Sequence, residues 1–240
     1  MITCHIVADH NTAEYANYCM RILLLLAHDP QAVQVRFHAA DGSGSVGHAV
    51  GLQKALQSAD PEHINLICDS DTVMLRKGWD VALAHRLLDV QVLGASYEDV
   101  GSACCGPGPI QAYKKTANMA WIAFAPRCPL KSLDPMPSKE STLPIDTEEL
   151  SRMYHLPVGF SLLRDVGWRV PSWIKAYDLK DDYLRNCRLQ DEPGCEMASK
   201  SNELFKDKDA RLIVAHQRSS SKLKFMEGDS KTFYECVGRL

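Results

Sequence analysis

The chain has 240 residues, a formal net charge of −3, and 45% hydrophobic against 24% charged residues. That balance is expected of a globule able to bury a sizeable core without staples. It excludes a strongly basic nucleic-acid binder, and no run approaches the ~20 apolar residues of a membrane span. The N-terminus, Met1-Ile2-Thr3-Cys4-His5, lacks the basic and long apolar regions of a signal peptide. Nine cysteines, an odd number without C-x-x-C spacing, argue against a disulfide framework or zinc ribbon and for a reducing cytoplasm.

Residues 4–8 read as a short apolar strand that runs into Asp9-His10-Asn11. A helix follows, with Tyr15, Tyr18, Ile22, Leu25 and Leu26 on one face and Asn11 and Glu14 at capping-box spacing. On local grounds Asp9 and Asn11 are caps. A strand entering a polar loop and a helix N-terminus is also a natural seat for an anionic ligand. Val33, Val35 and Phe37 alternate as in a second strand. The turn Asp41-Gly42-Ser43-Gly44-Ser45-Val46-Gly47-His48 lacks the Gly-Lys-Ser/Thr ending of a P-loop, but its glycines permit close backbone approach to a ligand. A second helix carries Ala49, Leu52, Ala55, Leu56 and Ala59 on one side.

Residues 64–68 then form a mostly apolar run that breaks off into Asp69-Ser70-Asp71-Thr72. Two alternating acids at the carboxyl end of a buried strand project into the crevice where open α/β sheets bind ligands. Hard oxygen ligands there suit Mg²⁺ or Mn²⁺ held against phosphates. The spacing alone is cheap, because Asp207-Lys208-Asp209 repeats it in a charged segment. The strand in front of Asp69 is what gives it weight. Strand, helix, strand, helix, strand is the order of a parallel, doubly wound α/β sheet.

Gly78-Trp79-Asp80 opens a further helix to about Asp89, and residues 90–97 read as a strand. The Gly-, Pro- and Cys-rich loop 101–109 holds Cys104 and Cys105, and residues 110–125 read as one long strand or a bent pair. Residues 126–144 hold five prolines and read as a connector. Asp146-Thr147-Glu148-Glu149 starts a helix, residues 160–166 are apolar at helical spacing, and Gly167-Trp168-Arg169-Val170 reads as a turn into a strand. Residues 180–210 read as charged and mostly solvated. Residues 211–215 form a last strand that delivers His216, and a basic loop with Arg218, Lys222 and Lys224 follows.

Four of these passages together resemble the large family of inverting nucleotide-sugar glycosyltransferases of the GT-A fold, which carry a D-x-D signature. They are Asn11 to Tyr15 with Cys19 and Leu23, Gly47-His48-Ala49 with Leu52 and Leu56, Leu66 to Asp71 with Gly78-Trp79, and Asp146-Thr147 with Gly167-Trp168-Arg169-Val170. The likeness spans about residues 3–170 and lies in order and spacing more than in any one motif. His216 with Ser219 and Ser220 is similar to a late metal-ligating histidine of several GT-A families. Ala40 stands before Asp41 where two adjacent acids are usual, and the Q-x-x-R-W signature and membrane segments of polysaccharide synthases are missing.

The resemblance implies a GT-A doubly wound, mostly parallel central sheet with helices on both faces. It also implies one compact domain, with a donor-binding half in residues 1–100 and an acceptor-binding half in 101–240 that ends in a metal-ligand loop. It implies a cytoplasmic transferase that uses Mn²⁺ or Mg²⁺ to move a sugar from a nucleoside diphosphate, UDP first, to a saccharide, a protein or a hydroxylated DNA base. Asp71 and His216 would ligate the cation, and Asp69 would serve it through water or hold the ribose. Asp146 would be the base, with Glu148 and Glu149 as fallbacks, and Asp9, Asn11, Asp41, His48, Ser70 and Arg218 would contact the donor. The rival readings are a sugar nucleotidyltransferase, which expects a basic Gly-rich loop that Ala8-Asp9-His10-Asn11 does not supply, and a non-catalytic nucleotide-sugar or nucleic-acid binding module.

Overall fold

Strand β1, Ile2–Ala8, is buried on both faces through Val7, as an interior strand of a sheet covered by helices must be. In the computed structural model, which describes residues 1–41, 44–96, 117–136, 169–199, 202–217 and 222–240, it pairs in parallel with β2, Val33–Ala39, and with β3, Ile64–Asp69. Helix α1, Ala13–Leu26, links β1 to β2, and α2, Gly44–Ser58, links β2 to β3. Because β2 and β3 lie on opposite sides of β1, right-handed crossovers put α1 and α2 on opposite faces of the sheet. The strand order reverses at β1, so the crevice at a topological switch point opens beyond Ala8 and Asp69.

Beyond β3 come β4, Thr72–Met74; α3, Trp79–Arg86; β5, Val92–Ser96; and β6, Ala117–Phe124. They are followed by α4, Val170–Ala176; β7, Asp181–Arg188; β8, Glu203–Lys206; β9, Ile213–His216; and α5, Gly228–Val237. The described strands make one mixed sheet in the order β2-β1-β3-β6-β5-β7-β8-β9-β4. Strands β1, β2, β3, β5, β7 and β9 run one way; β6, β8 and β4 run against them. The sheet is therefore α/β and mostly parallel in strand direction, as read from the sequence. Among the described residues no helix is long and apolar enough to cross a membrane.

The spacing of Tyr15, Ala16, Cys19 and Leu23 puts one face of α1 in the core. Fully burying a side chain such as Leu23 is worth about 1.5–3 kcal/mol. Gly78-Trp79-Asp80 then ties off that helix with three different groups. Gly78 N–H donates to the Leu26 carbonyl at 2.7 Å, and the Trp79 indole N–H donates to the Leu23 carbonyl at 2.9 Å. The Asp80 carboxylate accepts from the N–H groups of His28 and Asp29 at 2.7 and 3.0 Å. Gly78 sits at φ 75°, in the left-handed region, where a side chain is strained.

Three local expectations change. Thr12, not Asn11, stands at the N-cap of α1. The turn is closed instead by Asp9, whose Oδ1 accepts from the N–H groups of Asn11 and Thr12 and from the Thr12 hydroxyl. Where Gly167-Trp168-Arg169-Val170 read as a turn into a strand, the chain starts a helix at Val170: Arg169 stands at the N-cap position without a side-chain cap bond and pairs with Asp134, and Pro171 occupies the first turn, where its missing N–H costs nothing. Residues 180–210 are not a solvated stretch either, since they supply β7 and β8 and bury Asn186, Asn202, Glu203 and Asp207. Within the proline-rich connector, Cys128, Leu130 and Leu133 pack into the same core as Ile2 and Val214.

Candidate metal centre

The two acids and the late histidine are joined by backbone pairing before any side chain is considered. At the end of β3, Ser70 N–H donates to the Val7 carbonyl at 3.1 Å, so the chain stays against β1 for one more residue. The Thr72 hydroxyl donates back to the Asp69 carbonyl at 2.8 Å and closes a tight turn across the acids. Strand β4 begins there and pairs antiparallel with β9, with Thr72 opposite His216. Gln217 N–H donates to the Asp71 carbonyl at 3.1 Å and extends that ladder.

In this frame His216 Nε2 lies 3.4 Å from Asp71 Oδ1 and 4.0 Å from Asp69 Oδ2. One ligand-type atom from each of the three lies within 4.8 Å of the others, and no other such group occurs among the described residues. Asp71 and His216 are buried at 7% exposure each, whereas the Asp69 side chain is 20% exposed. The site therefore opens to solvent on the Asp69 side. His48, in the first turns of α2, brings Nε2 to 2.7 Å from Asp69 Oδ1. The approach is off the donor axis, an electrostatic contact and not an aligned hydrogen bond.

On the far side of the imidazole, β8 pairs with β9 so that Glu203 stands opposite His216. Its carboxylate takes Nδ1 at 2.8 Å through Oε2 and the Asn186 amide N–H at 3.1 Å through Oε1. The Phe205 ring stacks on the imidazole with centroids 6.3 Å apart. Burial works against a charge on His216, but the Asp71 charge and the hydrogen bonds to Asp71 and Glu203 outweigh it and lift the imidazole to about 10. At neutral pH a proton thus helps to hold three carboxylates together. A divalent cation is a natural replacement for it, because two carboxylates and one imidazole form an oxygen-rich donor set that suits Mn²⁺ or Mg²⁺.

The other expected site residues divide by place. Ser70 is buried in the turn between the acids. Asp9 is spent in part on the turn before α1, and Asn11 is exposed beside it. Asp41 is held at 2.8 Å by Lys54, whose hydrogen bond and charge pull the carboxyl below its ordinary value. Asp146, Glu148, Glu149 and Arg218 lie outside the described residues, as do Cys104 and Cys105. The residue that sequence reasoning passed over is Glu203. The only signal was the apolar pair Leu204-Phe205 inside an otherwise charged stretch.

No family model matches the sequence, and no curated protein matches it. Among solved structures it is similar to S. aureus TarS at 13% identity and TM-score 0.36, over 50% of this chain and 28% of that one. It is also similar to the galactosyltransferase LgtC in complex with donor and acceptor sugar analogs, at 14% identity and TM-score 0.39, over 99% and 96% of the two chains. A third likeness is to A197 from STIV, at 9% identity and TM-score 0.35, over 91% and 96%. The chain thus spans little more than a quarter of TarS. None of these scores reaches 0.5, and the functional reading rests on the chain's own residues.

Proposed function

We propose that the chain is a metal-dependent glycosyltransferase that moves a sugar from a nucleoside-diphosphate donor, UDP in the first instance, to an acceptor hydroxyl. One observation carries the reading. Asp69 and Asp71 at the tip of β3 and His216 at the tip of β9 converge at the carboxyl ends of their strands, beside the switch point of the sheet. Asp71 and His216 would hold Mn²⁺ or Mg²⁺ directly, and Asp69, the more exposed acid, through water or at the ribose. When bound, such a cation draws charge from the diphosphate oxygens as the sugar departs.

The chain's own groups do the rest. His48 holds Asp69 on the open side of the site and faces the donor entry. Asp9, Asn11, Ser70 and Asp41 border the same end of the sheet and supply polar partners for base and ribose, with Arg218 as a partner for the phosphates. Asp146 is assigned as the base that takes the acceptor proton, which implies inversion at the anomeric carbon. Acceptors of three kinds fit this chemistry: a saccharide, a protein, or a hydroxylated base in DNA.

A screen of nucleotide sugars tests the reading, with melting temperature and donor hydrolysis followed in Mn²⁺ and in EDTA. The expected result is a Mn²⁺-dependent rise in melting temperature with one donor class, accompanied by slow release of the nucleoside diphosphate. No stabilisation by any nucleotide sugar in Mn²⁺ overturns the proposal. Pyrophosphate release from UTP and a sugar phosphate would replace it with a nucleotidyltransferase, and binding without hydrolysis would leave a binding module.

A further inference from the structure

We propose that Glu203 is a positioning residue for the cation site, its contact to Nδ1 keeping Nε2 of His216 turned toward Asp69 and Asp71, so that Nε2 is the nitrogen a cation takes. The inference rests on the metal-centre reading above and extends it to a residue that touches neither cation nor substrate. Its geometry is that of a carboxylate-histidine pair behind a metal. Glu203 Oε2 lies 2.8 Å from Nδ1, while Nε2, on the opposite edge of the ring, faces the two aspartates at 3.4 and 4.0 Å.

With a carboxylate oxygen 2.8 Å from Nδ1, that nitrogen keeps its proton when a cation displaces the one on Nε2, and the Nε2 lone pair is the one left for the cation. The same contact raises the basicity of the ligating nitrogen. The β8–β9 register sets Glu203 directly across from His216, and Phe205 covers one ring face. The carboxylate itself is fixed through its second oxygen by Asn186.

Glu203 is buried, so its partners decide whether a carboxylate is worth having there. It is 2% exposed, and taking a carboxylate out of water costs several kcal/mol unless its partners repay it. A glutamine would fill the same volume without that cost. It would also find partners: Asn186 Oδ1 has none, so that amide can turn to accept from the new side chain. What glutamine cannot do is enforce one tautomer, because its amide offers either an oxygen or an N–H to Nδ1.

The test is a cycle of Glu203→Gln and His216→Ala, singly and together, read as Mn²⁺ affinity by calorimetry on the full chain. Glu203→Gln is expected to weaken Mn²⁺ binding 10- to 100-fold. In the His216→Ala background the same change should cost less than twofold, because Glu203 acts only through the ring. An equal loss in both backgrounds, or no loss in either, overturns the proposal while the metal centre stands. A measurement on the unaltered protein guards against a variant that does not fold. Histidine ¹⁵N spectra with Zn²⁺ as a diamagnetic probe should show a protonated Nδ1 and a metal-bound Nε2 at His216. A metal-bound Nδ1 overturns the assignment. If the unaltered chain binds neither Mn²⁺ nor Zn²⁺, the metal centre itself falls, and this inference with it.

Discussion

Replacing Asp71 by Asn separates what the site does for the fold from what it does for a cation. At 3.4 Å and an effective dielectric near 20, the attraction between Asp71 and a protonated His216 is about 5 kcal/mol. The repulsion between Asp71 and Asp69, whose ligand atoms lie within 4.8 Å, is at least about 3.5 kcal/mol on the same scale. The two nearly cancel, so Asp71→Asn should cost at most about 1.5 kcal/mol in EDTA, a fall of no more than roughly 6 °C in melting temperature. Mn²⁺ at about a hundred times its dissociation constant should stabilise the native chain by about 2.7 kcal/mol, or roughly 5–11 °C. The variant should lose nearly all of that. Thermal melts of both proteins, in EDTA and in Mn²⁺, decide the matter. An undiminished Mn²⁺-dependent rise in the variant would refute the ligand assignment. A loss above about 5 kcal/mol in EDTA would refute the cancellation, because the acid would then be chiefly a structural partner of His216.

Gly51→Ala should destabilise the chain by about 1–3 kcal/mol in urea unfolding, because its Cβ would stand 2.5 Å from Val7 Cγ1 and 3.3 Å from the Ala40 backbone. Unchanged stability would mean that α2 can lift off β1. At Gly78 a Cβ meets nothing within 4 Å, so Gly78→Ala should cost about 1–2 kcal/mol from the positive φ alone, and Gly78→Asn less. Equal costs would point to something other than backbone strain. His5 is buried between His38 and Asn65, with ring nitrogens at 2.9 and 3.1 Å from them. Burial, with the charges of His38 and Arg36, outweighs the Asn65 hydrogen bond and pushes His5 down to about 4. The unfolded chain therefore binds a proton that the folded one refuses. The contribution is fully present above about pH 6.5 and lost as pH falls from there toward 4, by at most about 3 kcal/mol. Denaturant titrations across that range should show the slope, and His5→Asn should flatten it.

The parts of the fold that could be read in the sequence are those where periodicity and burial coincide. β1, α1, α2 and β3 each carry a one- or two-faced apolar pattern long enough to stand out, and their order dictates the switch point where Asp69 sits. The misread parts are those where tertiary partners supply what local pattern lacks. β7 shows it best, because strands on both sides supply its backbone hydrogen bonds while Asp181, Asp182, Arg185 and Arg188 put charges at both of its ends and in its middle. Gly167-Trp168-Arg169-Val170 read as a turn into a strand, but Pro171 in the first turn favours the helix that starts at Val170.

The site follows the same division. Asp69, Asp71 and His216 were legible because each ends an apolar run, and a polar residue at a strand tip is visible without knowing the sheet order. Their meeting was expected only through the family resemblance, and local pattern did not show it, because it depends on β4, a three-residue strand too short to show any period, which pairs with β9 and sets Thr72 against His216. Glu203 was harder still. It lies at the start of β8 between Asn202 and Leu204, and its only distinguishing property is the strand it faces. A ligand can be found from the end of its own strand, whereas the group that orients it from behind is found only through the register of the next one.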